Sequence, residues 1–153
     1  MTPFAVALLS QEVKLDALDV LVKAREEGGE ERKSAIEYVI RASRDLGCQP
    51  LVSDSKEGGF KIRYGSIRYA VMDVNTKGRV YFHVKAHPNK ELPEEYQRKA
   101  NDFIDSLEGL NIKNGPINCY GQVEQPIEEI PRESLERFLE FSVQIIKDVY
   151  YNA

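Results

Sequence analysis

Between residues 59 and 87 the apolar side chains of this sequence leave helical spacing for alternation, and no other feature restricts the possible folds as much. Phe60, Ile62 and Tyr64 alternate with Lys61 and Arg63; Ile67, Tyr69 and Val71 alternate with Arg68, Ala70 and Met72; Val80, Phe82 and Val84 alternate with Tyr81, His83 and Lys85. Gly65-Ser66 separates the first two runs, and Asn75-Thr76-Lys77-Gly78 separates the last two. Glycine at the first central position suits a two-residue type II′ turn, and Asn and Gly favour reversals generally. The segment therefore predicts a three-stranded antiparallel meander.

Two-residue turns fix a register. With Gly65-Ser66 and Thr76-Lys77 as central pairs, Tyr64 opposes Ile67, Ile62 opposes Tyr69, Val74 opposes Arg79 and Val71 opposes Phe82. Phe60, Ile62, Tyr64, Ile67, Tyr69, Val71, Val80, Phe82 and Val84 then face a core. Lys61, Arg63, Arg68, Ala70, Met72, Tyr81, His83 and Lys85 face outward. A slip of one residue would turn the cations inward, so the pattern itself argues for this pairing.

Helical spacing occupies the flanks. Ser10 is a candidate N-cap for a helix through Glu27, stopped by Gly28-Gly29, and a second helix runs from about Glu30 to Leu46 with Gly47 beyond its end. The charge run Glu26, Glu27, Glu30, Glu31, Arg32, Lys33 between them reads as a solvated junction. Leu92-Pro93-Glu94-Glu95 starts a third helix with the stripe Tyr96, Ala100, Phe103, Ile104, Leu107, ended by Gly109. Pro131 opens a fourth, carrying Leu135, Phe138, Leu139, Ser142, Ile146 and Val149. Between the last two helices, Asn114-Gly115-Pro116 separates short apolar runs that suggest one or two more strands within 110–125. The expectation is a single α+β domain over residues 1–153: the meander, extended by one or two strands, packed against about four helices.

Composition agrees with a soluble globular chain: 153 residues, 42% hydrophobic and 30% charged. Cys48 and Cys119 are far apart and form no metal-ligand spacing, so reduced, buried thiols in a cytoplasmic protein are expected. The opening Met1–Ser10 has no basic n-region, and no stretch approaches the roughly 20 apolar residues of a membrane span. No membrane partner is expected.

Charge supplies the functional signal. Residues 59–90 hold Lys61, Arg63, Arg68, Lys77, Arg79, Lys85 and Lys90 against Asp73 alone, a charge of +6, which leaves −10 for the rest of a chain whose total is −4. Such asymmetry speaks of partners. The outward set Lys61, Arg63, Arg68, Tyr81, His83 and Lys85 lacks any carboxylate, whereas ordinary surfaces intersperse both signs. Arg and Lys suit phosphate oxygens, and an aromatic ring suits a stacked base. The reading is a non-enzymatic binding module whose basic sheet face engages nucleic acid or an acidic protein. An alternative is an interaction module acting as a homo-dimer or through its acidic helices.

The order helix, three antiparallel strands, helix, strand, with Asp73 on the second strand and His83-Val84-Lys85 on the third, resembles the restriction-endonuclease-like PD-(D/E)xK family over about residues 30–120. The resemblance implies a nuclease that binds Mg²⁺ through the aspartate and the (D/E) acid, with the lysine beside the attacking water. Here His83 replaces the second acid and is a poor ligand for so hard an ion. The register above also sets Asp73 opposite in face to His83 and Lys85. Only a bulge or a turn of odd length would bring them together. A degenerate scaffold of this type is thus the third reading.

Other chemistries lack residues. His83 and His87, four apart on an extended strand, would lie roughly 13 Å apart and could not share a metal. Glu37 reads as an ion-pair partner of Arg41, and Glu94-Glu95 and Glu128-Glu129 as helix-start acids. No phosphate-binding glycine loop, dinucleotide fingerprint or nucleophile elbow occurs. Neither cofactor, metal nor catalytic residue is assigned.

Overall fold

The computed structural model describes residues 16–54, 56–65, 70–83, 92–113 and 120–151. It is an α+β fold with a six-stranded, wholly antiparallel sheet and, among the described residues, three α-helices. In chain order these are α1 (Ala17–Asp45), β1 (Cys48–Val52), β2 (Gly59–Tyr64), β3 (Ala70–Asn75), β4 (Val80–His83), α2 (Glu94–Asp105), β5 (Ile112–Lys113), β6 (Tyr120–Val123) and α3 (Arg132–Ile146). The sheet order is β1-β2-β3-β4-β6-β5. None of the helices among the described residues is long and apolar enough to cross a membrane.

Two of the four expected helices prove to be arms of one element. Gly29, at φ 83° and ψ −180°, leaves helical geometry where Gly28-Gly29 was expected to end the first helix, a kink that glycine tolerates, and the chain resumes helical geometry beyond it. The described helix is capped by Asp16, which accepts from the backbone N–H of Asp19 while the Asp19 carboxylate accepts from that of Asp16. The expected Ser10 cap lies outside the described residues.

Sheet and helices meet in one apolar layer. Val20, Ala24, Ile36 and Val39 of α1 and Leu135, Phe138, Leu139 and Ile146 of α3 are buried with Phe60, Ile62, Met72, Val74, Val80 and Phe82. Phe82 stacks on Phe138 with centroids 4.0 Å apart, and Phe103 of α2 stacks on Phe141 of α3 at 4.3 Å. Such aromatic pairs each add about 0.5–1.5 kcal/mol beyond their buried area.

The expected register is wrong at both turns of β3. Between β3 and β4, Asn75 N–H donates to the Arg79 carbonyl and Gly78 N–H to the Asn75 carbonyl, so the loop is the three residues Thr76, Lys77 and Gly78, with Gly78 at φ 81°. That is a type I turn closed by a left-handed glycine, one residue longer than the two-residue loop expected. Val74 therefore opposes Val80, and Phe82 opposes Met72 rather than Val71. Between β2 and β3, Ile62 opposes Met72 rather than Tyr69, and the register breaks between Ile62 and Arg63, leaving Val71 as the extra residue. A shift by an odd number turns β3 over: Met72, expected outside, is fully buried, and Asp73 comes out. Ala70, also expected outside, is buried. Ile67 and Tyr69 lie outside the described residues.

A strand not expected at all, β1, pairs with β2 and forms one edge of the sheet. Pro50 within it is compatible with an edge position, where a missing N–H breaks no ladder. The two short strands expected within 110–125 are β5 and β6; β6 pairs with β4, and β5 lies on the far edge.

Candidate functional site

The face turned away from the helices is built by register. Leu51 opposes Lys61, Lys61 opposes Asp73, Asp73 opposes Tyr81, Tyr81 opposes Gln122 and Gln122 opposes Lys113, a single row across all six strands. Arg63 and His83 stand two residues along β2 and β4, on the same side as Lys61 and Tyr81. Every residue of this row, with Arg63 and His83, is half-buried or exposed. Four of the six residues assigned from sequence, Lys61, Arg63, Tyr81 and His83, therefore share this face. Arg68 and Lys85 lie outside the described residues.

The face is not devoid of acids, as the sequence had suggested. Turning β3 over delivers Asp73 to its centre, where Oδ2 lies 3.0 Å from His83 Nε2. Two further carboxylates stand at the margins, and each is matched: Glu57 meets Lys77 Nζ at 3.2 Å, and Glu124 meets Lys113 Nζ at 3.1 Å. By contrast, the side chains of Lys61, Arg63 and Arg79 make no ion pair or hydrogen bond among the described residues, and Arg63 Nε is sealed from solvent without an acceptor. Asp73 Oδ1 is likewise sealed and without a donor. A buried polar atom left without a partner costs roughly 1–3 kcal/mol, so each is a locally unfavourable point beneath the face.

Two depressions open on this side. One, of about 300 Å³, is lined by Ser53, Glu57, Lys61, Asp73, Asn75 and Tyr81. The other, of about 360 Å³, is lined by Lys77, Arg79, Lys113, Gln122, Glu124 and Gln125. Tyr81 and Gln122 are directly paired, so the two depressions lie on either side of the β4–β6 junction.

Asp73 and His83 are the pair that an odd-length turn had to unite for the nuclease resemblance to hold. They do not fit a Mg²⁺ site: His83 turns its Nε2 to Asp73, and among the described residues no group of three or more His, Cys, Asp or Glu side chains could hold a metal. Glu37, expected to pair with Arg41, pairs instead with Lys33 at 3.8 Å. His87 and Cys119 lie outside the described residues.

Behind the face, one contact escaped the sequence reading. Arg32, read there as part of a solvated charge run, donates from Nε to both oxygens of Glu128 at 3.1 Å, from Nη2 to Oε1 at 2.8 Å and from Nη1 to the Thr76 carbonyl at 3.2 Å. It thereby ties α1, just past its kink, to the β3–β4 loop. The bonds to Glu128 raise the Arg32 pKa above its already high ordinary value. A Cβ on Gly28 would fall 2.1 Å from Arg32 Nε and one on Gly78 2.8 Å from it, so the guanidinium lies between two glycines. That pairing of distant glycines with a lone arginine is visible only once the chain is folded.

No protein-family model, curated protein or solved structure matches the chain.

Proposed function

We propose that this protein is a binding module that engages an anionic partner, a nucleic acid or an acidic protein, through the outer face of its sheet. The supporting observation is the mismatch on that face: of its three carboxylates two meet a lysine and the third a histidine, whereas Lys61, Arg63 and Arg79 meet no acceptor among the described residues. Isolated surface cations contribute little, but three on one face, two on β2 and one just before β4, raise the local concentration of a polyanion and gain the release of its counterions. Tyr81, at the middle of the cross-strand row, adds a ring on which a base can stack.

Fluorescence anisotropy of a labelled oligonucleotide and of labelled polyglutamate, titrated with the full chain at low salt, tests this. Binding of either by the wild type, lost in the Lys61→Glu/Arg63→Glu variant with an unchanged circular dichroism spectrum, is the expected result. Binding of neither, or equal binding by the variant, overturns it. Mg²⁺- or Mn²⁺-dependent cleavage of the oligonucleotide would replace it with the nuclease reading.

A further inference from the structure

The two depressions do more than roughen the face; they lie in register. The first holds Lys61, Asp73 and Tyr81, the second Arg79, Gln122 and Lys113, and the row Lys61–Asp73–Tyr81–Gln122–Lys113 runs through both. Resting on the proposed function, we infer that the partner is a single-stranded nucleic acid lying across the strands along this row, from Arg63 and Lys61 on β2 to the cleft at Arg79 and Lys113.

Dimensions and chemistry support the path. Lys61 and Lys113 are separated by four inter-strand steps, or about 19 Å at about 4.8 Å each. At the 3.4 Å per nucleotide of a stacked strand, that span takes about six phosphates. A lone nucleotide or inorganic phosphate would reach one end only. Lys77, Arg79 and Lys113 line the second depression against the single carboxylate of Glu124, and Arg79 is exposed with its guanidinium uncommitted among the described residues. This extends the cationic surface to the opposite edge of the sheet, beyond the residues singled out from sequence.

The shape favours one strand over two. Duplex DNA is read by an element that enters a groove, a helix or a two-stranded ribbon, whereas this is a broad sheet face with its polar groups in shallow hollows. A flexible strand can lay phosphates against Lys61, Arg79 and Lys113 while a base meets Tyr81. Asp73, set between Lys61 and Tyr81, repels phosphate at the middle of the path, which steers the backbone toward the cations on either side.

The test compares a twelve-nucleotide single strand, the corresponding twelve-base-pair duplex and polyglutamate, against the wild type and Arg79→Glu/Lys113→Glu. The expected result is single-strand binding at least tenfold tighter than duplex binding. The variant, with an unchanged unfolding midpoint in urea, loses at least tenfold in single-strand affinity, and its salt slope shrinks by about 1.4, two contacts at 0.7 each. Undiminished binding by the variant overturns the path and leaves the proposed function standing. Equal or tighter duplex binding, or binding of polyglutamate alone, overturns the single-strand assignment. Binding of no ligand by the wild type removes the proposed function itself.

Discussion

His83 Nε2 lies 3.0 Å from Asp73 Oδ2, although a two-residue hairpin would have sent the two side chains to opposite sides of the sheet. The contact exists because the loop between their strands has three residues and ends in a left-handed glycine. Its consequence is a face of mixed sign, with a carboxylate at the centre and unmatched cations around it.

Neutralising that carboxylate removes the one negative group in the middle of the proposed path. Asp73→Asn is expected to strengthen binding of polyglutamate and of the single strand by a few-fold each. Anisotropy titrations measure both, and an Asp73→Asn protein that binds either more weakly would contradict the placement.

The loop glycine carries the register. Gly78 sits at φ 81°, and a Cβ there would approach Arg32 Nε to 2.8 Å and Glu128 Oε2 to 3.2 Å. Gly78→Ala is expected to cost about 2–3 kcal/mol through backbone strain and displacement of the guanidinium. Urea unfolding reads this directly; a midpoint equal to wild type would mean the loop is built otherwise.

Arg32 and Glu128 form a largely buried pair, their side chains 13% and 14% exposed. Removing one partner strands the other, so Arg32→Ala is expected to destabilise by about 3 kcal/mol, while a double change to Met and Leu costs less than the single one. Arg32→Lys should recover little, because an ammonium cannot make the paired bonds to a carboxylate. Thermal unfolding of the three variants gives the comparison; full rescue by lysine would refute the forked geometry.

Burial pushes the Cys48 thiol up to about 11 from 9.0. The folded protein thus holds its proton while the unfolded chain releases it, so this group's contribution to stability is complete below pH 9 and declines as pH rises from 9 to 11. At pH 8 the folded thiolate population is about a hundredfold lower than the unfolded one. Peptide-resolved alkylation should show Cys48 protected by that order in native conditions and exposed in urea; equal rates would place the thiol at the surface.

Much of the framework was legible in the sequence. Alternation assigned the faces of β2 and β4 because each sets polar groups, lysine and arginine on β2 and tyrosine and histidine on β4, against large apolar groups on the other side. It failed on β3, where Ala70, Val71, Met72 and Val74 are apolar on both sides and either orientation satisfies a hydrophobic pattern. The discriminating residue was Asp73, which the two-residue loop would have turned toward the core and the three-residue loop brings to solvent. Gly78, three residues after Asn75, was the local sign of the longer loop. β1 was hidden by its length and by Pro50, and the partner of Arg32 by a separation of 96 residues. The site residues on β2 and β4 followed from the faces; Arg79 and Lys113 did not, because their clustering depends on β6 inserting between β4 and β5.

The salt dependence of single-strand binding reports how many phosphates this face contacts. With Lys61, Arg63, Arg79 and Lys113 as the contacts, the logarithm of the affinity should fall with the logarithm of salt concentration at a slope of about −2.8, four contacts at 0.7 each, and reversal of all four charges should flatten it to near zero in a protein that unfolds at the wild-type midpoint. A wild-type affinity indifferent to salt, or a slope that survives the reversal of all four charges, would rule out this face as the anion-binding surface.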